Sequence, residues 1–191
     1  MELEQAIVER LRQVIDPATE QVIDTVPSGT AQDVARAVDV AAEAWTRWRR
    51  VTAVERANMM HEAASSMRAH LDELVRLLTL EEGKPIPENE EELDWSLNTL
   101  DYFAELGRHT RGRMLPSPAH GQLSLVLKEP YGVVACIVPW NYPLSMVCAP
   151  LVGAIAAGNC AVMKPSEVTT HTSAAIARIL PRYLDKDAFA V

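Results

Sequence analysis

Residues 132–180, GVVACIVPWNYPLSMVCAPLVGAIAAGNCAVMKPSEVTTHTSAAIARIL, decide the fold. A mostly apolar run, Val134–Val138, is long enough for a buried strand and breaks at Pro139-Trp140-Asn141-Tyr142-Pro143. Apolar spacing then turns helical through Leu144, Val147, Leu151 and Ile155, with Pro143 suited to a first helical position and Gly158 to the end. "NCAVMK" reads as a short second strand, "THTSAAIARIL" as a helix capped near Thr170, and the closing "AFAV" as a third strand. Strand, helix, strand, helix, strand is the order of a parallel sheet with crossover helices, so the class is α/β. The pattern stops before that last strand is covered, which makes the sheet incomplete and its exposed apolar surface a cause of association.

Upstream the texture is helical. Thr30 can cap a helix whose stripe is Val34, Val38, Ala41, Trp45 and Trp48. Thr52 and Glu55 have capping-box spacing ahead of a second stripe, Ala57, Met60, Ala64, Met67, Leu71, Leu74 and Leu78, read as one helix that Gly83 and Pro85 stop. Leu93, Leu97, Leu100 and Ala104 mark a third, and the acidic run "ENEEE" before them reads as its solvated start. Strands are expected only from about Gln122, where "GQLSLVLKEPYGVVACIV" alternates around the turn Glu129–Gly132.

The 191 residues allow one well-buried domain, and 48% apolar with 23% charged residues is the balance of a globular chain. A net charge of −8 disfavours nucleic acid, and "WTRWRR" (45–50) reads as a solvated helix end. No apolar run reaches bilayer length, and "MELEQAIVERLRQ" is charged where a signal peptide is apolar, so a cytoplasmic location is expected. Cys136, Cys148 and Cys160 lie in apolar stretches without metal or disulfide spacing and read as small buried residues.

Ligands of open parallel sheets gather where strands end and helices begin. Two polar clusters fall there, "PWNYP" and "KPSE". Asn141 is either a turn or cap residue or a rigid amide donor aimed at a developing oxyanion. Lys164 and Glu167 are either a surface ion pair or a donor and an acceptor for adjacent sugar hydroxyls. There is no GxGxxG, and "GAIAAGNC" has Asn159 and Cys160 where a P-loop needs Lys and Ser or Thr.

"DPATEQVIDTVPSGTAQDV", "LTLEEGKP", "EPYGVVACIVPWNYPL", "AAGNCAVMKPSE" and "LDKDAFAV", in that order, resemble the N-terminal part of the NAD(P)-dependent aldehyde dehydrogenases. The "YLDKDAFAV" ending is most similar to the class 3, fatty-aldehyde-type branch. The resemblance implies an incomplete Rossmann-like sheet preceded by N-terminal helices and a protruding β arm. It divides the chain into a helical part of the cofactor-binding domain (1–112), the arm (113–131) and the first strands of the NAD-binding unit (132–191), with the catalytic domain absent. By the same resemblance Asn141 stabilises the oxyanion, Ile137, Pro139 and Trp140 line the cofactor, and Lys164 and Glu167 hold the adenosine ribose with Ser166 between them. The carboxylate of Glu167 favours NAD, with NADP possible. The family's nucleophilic cysteine and general-base glutamate match nothing here, so the chain alone is expected to be inactive. An aldehyde is the expected substrate of the complete enzyme. The arm implies a homo-oligomer or association with full-length subunits; a stand-alone remnant that binds nucleotide weakly is the alternative.

Overall fold

The computed structural model describes residues 11–191, so most of the amphipathic N-terminal stretch lies outside the described residues. The first described elements are strands, β1 (Leu11–Ile15) and β2 (Val22–Pro27), paired antiparallel with an irregularity at Val14/Ile15. This corrects the expectation that strands begin near Gln122. Asp16 sets the turn, accepting from the Ala18 N–H at 2.8 Å and the Thr19 hydroxyl at 2.8 Å. The β2 sequence, VIDTVP, alternates too weakly between apolar and polar to announce a half-buried strand, and only Val14 of this hairpin is buried.

Four helices follow: α1 (Ala31–Trp48), α2 (Ala53–Ala69), α3 (Leu71–Glu82) and α4 (Ile86–Arg108). Thr30 and Thr52 cap the first two, each in a capping box, with Asp33 and Glu55 respectively. The expected stripe of α1 is buried only toward its C-terminal end: Ala41, Ala44 and Trp48 are inside, while Val34 and Val38 are exposed. The second stripe is two helices rather than one. His70 leaves helical geometry at φ −105°, ψ 17°, and restarts the chain as α3. Gly83 ends α3 at φ 77°, a left-handed position where a Cβ would lie 2.7 Å from the Pro17 ring, so both backbone and neighbour require glycine.

In α4, Leu93, Leu97, Leu100 and Ala104 are buried as expected. The acidic start is not uniformly solvated, however, because Asn89 and Glu92 are buried among them. After α4, β3 (Arg113–Leu115) and β4 (Ser124–Val126) form a short antiparallel ribbon with Met114, Leu123, Leu125 and Leu127 exposed.

The remaining elements are β5 (Val133–Ile137), α5 (Pro143–Ala156), β6 (Cys160–Lys164), α6 (Thr170–Ile179), a 3-10 turn (Leu180–Arg182) and β7 (Phe189–Ala190). The strands lie in the order β5-β6-β7, both pairs parallel. This is the expected α/β, Rossmann-like arrangement with crossover helices.

The helical layer clamps α5 at both ends. At its N-terminus the Glu92 carboxylate accepts from the backbone N–H groups of Leu144 (2.9 Å) and Ser145 (3.1 Å). At its C-terminus the Trp48 indole donates to the Ile155 carbonyl (3.3 Å) and Arg56 Nε to that of Ala156 (3.2 Å). Negative charge thus meets the amino end and positive charge the carboxyl end, each satisfying groups the helix leaves unpaired. The same device recurs on α6: Glu81 accepts from the N–H groups of His171 and Thr172 and from the Thr172 hydroxyl (2.8 Å). Its N-cap, Thr169, makes no side-chain capping bond. Glutamates on α3 and α4 therefore replace the local caps that the sequence suggested.

Arg47 is likewise more than a solvated helix-end cation. It pairs with Asp185 and Asp187, both at 3.1 Å, and so ties α1 to the turn before β7. Arg49 stacks over the Trp45 ring at 4.5 Å.

Candidate functional site

Because β5 and β6 are parallel and adjacent, with Ile137 opposite Lys164, the loops that follow them leave the same edge of the sheet. The Val138 N–H donates to the Lys164 carbonyl at 3.1 Å, extending the pairing to the residue that leads into the Pro139–Tyr142 loop. The two polar clusters of the sequence thus meet at the carboxyl ends of neighbouring strands.

On this edge Ile137 is 78% exposed and Trp140 54% exposed, so two large apolar side chains face outward where β5 ends. Pro139 and Asn141 are exposed as well. Immediately after them Pro143 opens α5, whose first turn Glu92 fixes, so Asn141 stands on a short segment held by β5 on one side and a doubly bonded helix start on the other. Across the second loop, Lys164 Nζ lies 3.3 Å from Glu167 Oε2 and 2.9 Å from the Pro165 carbonyl. The Glu167 carboxyl is held below the usual range, first by its own backbone N–H and then by Lys164, with Arg12 adding to the effect. Ser166 is buried, and its hydroxyl accepts from the Val168 N–H at 3.2 Å, shaping the loop from inside.

An ammonium that donates stands beside a carboxylate that accepts, which suits a pair of vicinal hydroxyls, and the exposed Ile137 side chain offers apolar contact at the strand end opposite Lys164.

Three residues here escaped sequence reasoning. Glu92 carries the largest local network: besides its bonds to α5, its other oxygen accepts from Lys84 Nζ at 2.6 Å, and Lys84 reaches Glu82 at 3.1 Å. Burial works against the Lys84 charge, but the bonds to Glu92 and Glu82 prevail and raise its pKa. Burial pushes the Glu82 carboxyl up to about 7. Lys84 also sits 3.9 Å from the centre of the Tyr142 ring, next to Asn141. Glu81 is the second missed residue, and Arg12, 3.9 Å from Glu167, the third. A buried carboxylate inside an acidic run gives no sequence signal of its own. An arginine on a weakly patterned strand gives none either.

Beside Asn141 an open cleft of about 630 Å³ is lined by Glu88, Glu91 and Trp95 of α4 and by Tyr142, Ser145 and Met146. Behind it the buried Ser96 hydroxyl meets that of Ser145 at 2.8 Å and donates to the Glu92 carbonyl at 2.6 Å.

None of the three cysteines lines this cleft. All are buried, and burial pushes the Cys148 thiol up to about 12 and that of Cys160 to about 11; Cys136 is raised for the same reason. A nucleophilic thiol requires the opposite shift. Asn159, which stands where a P-loop needs lysine, holds the sheet instead. Its side chain accepts from the Gly132 N–H at 3.0 Å and donates to the Ala154 carbonyl at 3.3 Å.

Compared with known proteins, the chain matches the aldehyde dehydrogenase family over residues 4–191. It is 35% identical to a glutarate-semialdehyde dehydrogenase of Pseudomonas aeruginosa over 93% of its own length and 37% of that protein's. To an NADP-dependent succinate-semialdehyde dehydrogenase of Escherichia coli it is 36% identical, over 88% of this chain and 35% of the relative. Among solved structures, a betaine aldehyde dehydrogenase mutant of Staphylococcus aureus in complex with NAD+ superposes with a TM-score of 0.91 at 34% identity, covering 95% of this chain and 37% of that one. The chain thus spans little more than a third of the length of the relatives it matches. With its whole described fold and nearly all of its sequence accounted for in this way, the chain belongs to the aldehyde dehydrogenase family.

Proposed function

We propose that this chain supplies the adenosine-binding edge and one oxyanion donor of an enzyme that oxidises an aldehyde to a carboxylic acid. The observation that carries the reading is the meeting of Asn141 and the Lys164–Glu167 pair on adjacent loops at one sheet edge. Lys164 and Glu167 hold the ribose hydroxyls, Ser166 shapes their loop, and Ile137, Pro139 and Trp140 line the cofactor. NAD, or NADP, accepts a hydride when bound. The Asn141 amide donates to the oxygen that gains charge as the aldehyde carbon becomes tetrahedral. Its position costs little reorganisation because Pro139, Pro143 and the Glu92-bound helix start restrain it. The aldehyde approaches through the cleft at Tyr142 and Met146.

The hairpin and four helices described before residue 113 act as the support of this edge, 113–131 as an arm for contact with another subunit, and 132–191 as the nucleotide-binding unit. The exposed leucines of β3, β4 and their surroundings support the arm reading, since an apolar ribbon of that kind favours burial against a partner. Within the family, the Tyr183–Val191 ending supports the class 3 branch, whereas two of the named relatives act, by name, on semialdehydes. No helix among the described residues is long and apolar enough to cross a membrane, which fits a cytoplasmic setting.

The three buried thiols support a chain that binds but does not turn over on its own. The test is a titration of the purified chain with NAD, followed by Trp140 fluorescence against a Trp140→Phe control, alongside an assay for NADH formation with several aldehydes. Quenching that requires Trp140, without NADH formation, is expected. Absence of quenching would sink the nucleotide site, and turnover that survives substitution of each cysteine would sink the inactivity of the isolated chain.

A further inference from the structure

Arg12 is the second residue of β1, paired with Val26 of β2, and its side chain is half exposed beside the candidate ribose site. Its Nη1 lies 3.9 Å from Glu167 Oε1, while Lys164 Nζ lies 3.3 Å from Oε2 of the same carboxylate. Each oxygen of Glu167 therefore has a cation next to it, one from its own loop and one from the N-terminal hairpin. A carboxylate alone at this corner repels a phosphate. Two cations around it leave one positive charge in excess.

We infer that Arg12 sets how this edge reads the 2′ position of the ribose, so that a 2′-phosphate is accepted as well as a free 2′-hydroxyl. The inference rests on the reading of Lys164 and Glu167 as the ribose site. At 3.9 Å and half exposed, the Arg12–Glu167 contact is a weak surface pair, and the guanidinium gives up little by turning toward another anion. A guanidinium suits that anion well, since its planar fork can bond two phosphate oxygens in parallel, a fixed geometry that an ammonium such as Lys164 does not offer. The hairpin that carries Arg12 is tied to α6 from its other strand, where Asp24 lies 3.2 Å from Nε2 of His171. Arg12 is thus presented from a second element, and its removal leaves Lys164 and Glu167 in place.

The test compares adenosine 5′-monophosphate with adenosine 2′,5′-bisphosphate as probes, by calorimetry on the 191-residue chain and on its Arg12→Gln and Arg12→Lys variants. Arg12 is exposed, and circular dichroism of the variants verifies that they fold. The native chain should bind both probes with affinities within about threefold of each other. Arg12→Gln should weaken the bisphosphate by about fivefold, the scale of one exposed charge pair, and leave the monophosphate unchanged. Arg12→Lys should recover part of the loss, and the difference between native and Gln chains should shrink in high salt. If the native chain binds the monophosphate but rejects the bisphosphate, or if Arg12→Gln weakens both probes alike or neither, the role of Arg12 is overturned while the ribose site stands. If neither probe binds, the ribose site fails and the inference falls with it.

Discussion

Replacing Glu92 by leucine should unfasten the start of α5 and with it the segment that carries Asn141. The side chain of Glu92 is fully buried, and it bonds two backbone N–H groups at 2.9 and 3.1 Å and an ammonium at 2.6 Å. Leucine orphans both buried donors, at roughly 1–3 kcal/mol each. It also strips Lys84 of its nearer partner, although Glu82 at 3.1 Å remains. Deleting one member of a buried ion pair costs about 3–5 kcal/mol, a figure that already includes part of the orphaned donors, so we expect about 3–5 kcal/mol for Glu92→Leu. Glu92→Gln keeps an oxygen for the two N–H groups, loses the charge and turns its amide nitrogen toward Lys84, which is then left to Glu82. Charge-assisted bonds are roughly twice as strong as neutral ones, so it should cost about half as much. Urea unfolding followed by circular dichroism reads both, with linear extrapolation to water. Against a typical domain stability of roughly 5–15 kcal/mol the leucine effect is large. If Glu92→Leu stays within about 1 kcal/mol of the native chain, or if Gln is as harmful as Leu, the carboxylate does not clamp this helix.

Glu81→Ala should destabilise the chain by about 2–4 kcal/mol in the same assay, because it orphans the buried Thr172 hydroxyl and two N–H groups at the start of α6; a loss below about 1 kcal/mol contradicts this. His61 bonds Glu105 through Nε2 (2.8 Å) and Asp101 through Nδ1 (2.6 Å), an arrangement that needs both nitrogens protonated. The Glu105 bond first, then Asp101, raise its pKa against burial. A raised folded-state pKa stabilises fully below the unfolded value of about 6.5 and is lost as pH rises through the folded one. The urea midpoint should therefore fall as pH rises above neutrality, and fall less in His61→Asn; an equal fall in both chains would assign the effect elsewhere, His171 being the nearest rival since its pKa is raised too. Finally, Cys136, Cys148 and Cys160 should resist a thiol reagent until the chain is unfolded, and rapid labelling of any one in the native state would contradict their burial.

The sheet was legible because its signals are local and redundant. Val134–Val138, the Pro143 helix start, Gly158 and the run from Asn159 to Lys164 each point to the same order, and Thr30, Thr52 and Gly83 sit at helix ends as expected. The N-terminal hairpin was not legible. Leu11, Ile15 and Val22 are exposed in the finished fold, so nothing selected a clean alternation there. The split at His70 was hidden because the apolar stripe continues across it and only the backbone angle changes. Glu81 and Glu92 were masked by their neighbours. Within "LEEGK" and "ENEEE" the carboxylates look alike in sequence, and which of them turns inward is set by the helix start that lies opposite. That the loops of Asn141 and of Lys164 and Glu167 leave one sheet edge was legible because they follow the strands at a spacing that a parallel sheet converts into proximity.

Whether the carboxyl edge of β5 and β6 is a nucleotide site can be read residue by residue from backbone amide NMR of the labelled chain during a titration with NAD. The largest shifts should fall on Ile137, Trp140, Asn141, Lys164, Ser166 and Glu167, and Lys164→Ala should abolish most of them. Shifts confined to other parts of the chain, or a spectrum that NAD leaves unchanged at that edge, would contradict a nucleotide site there.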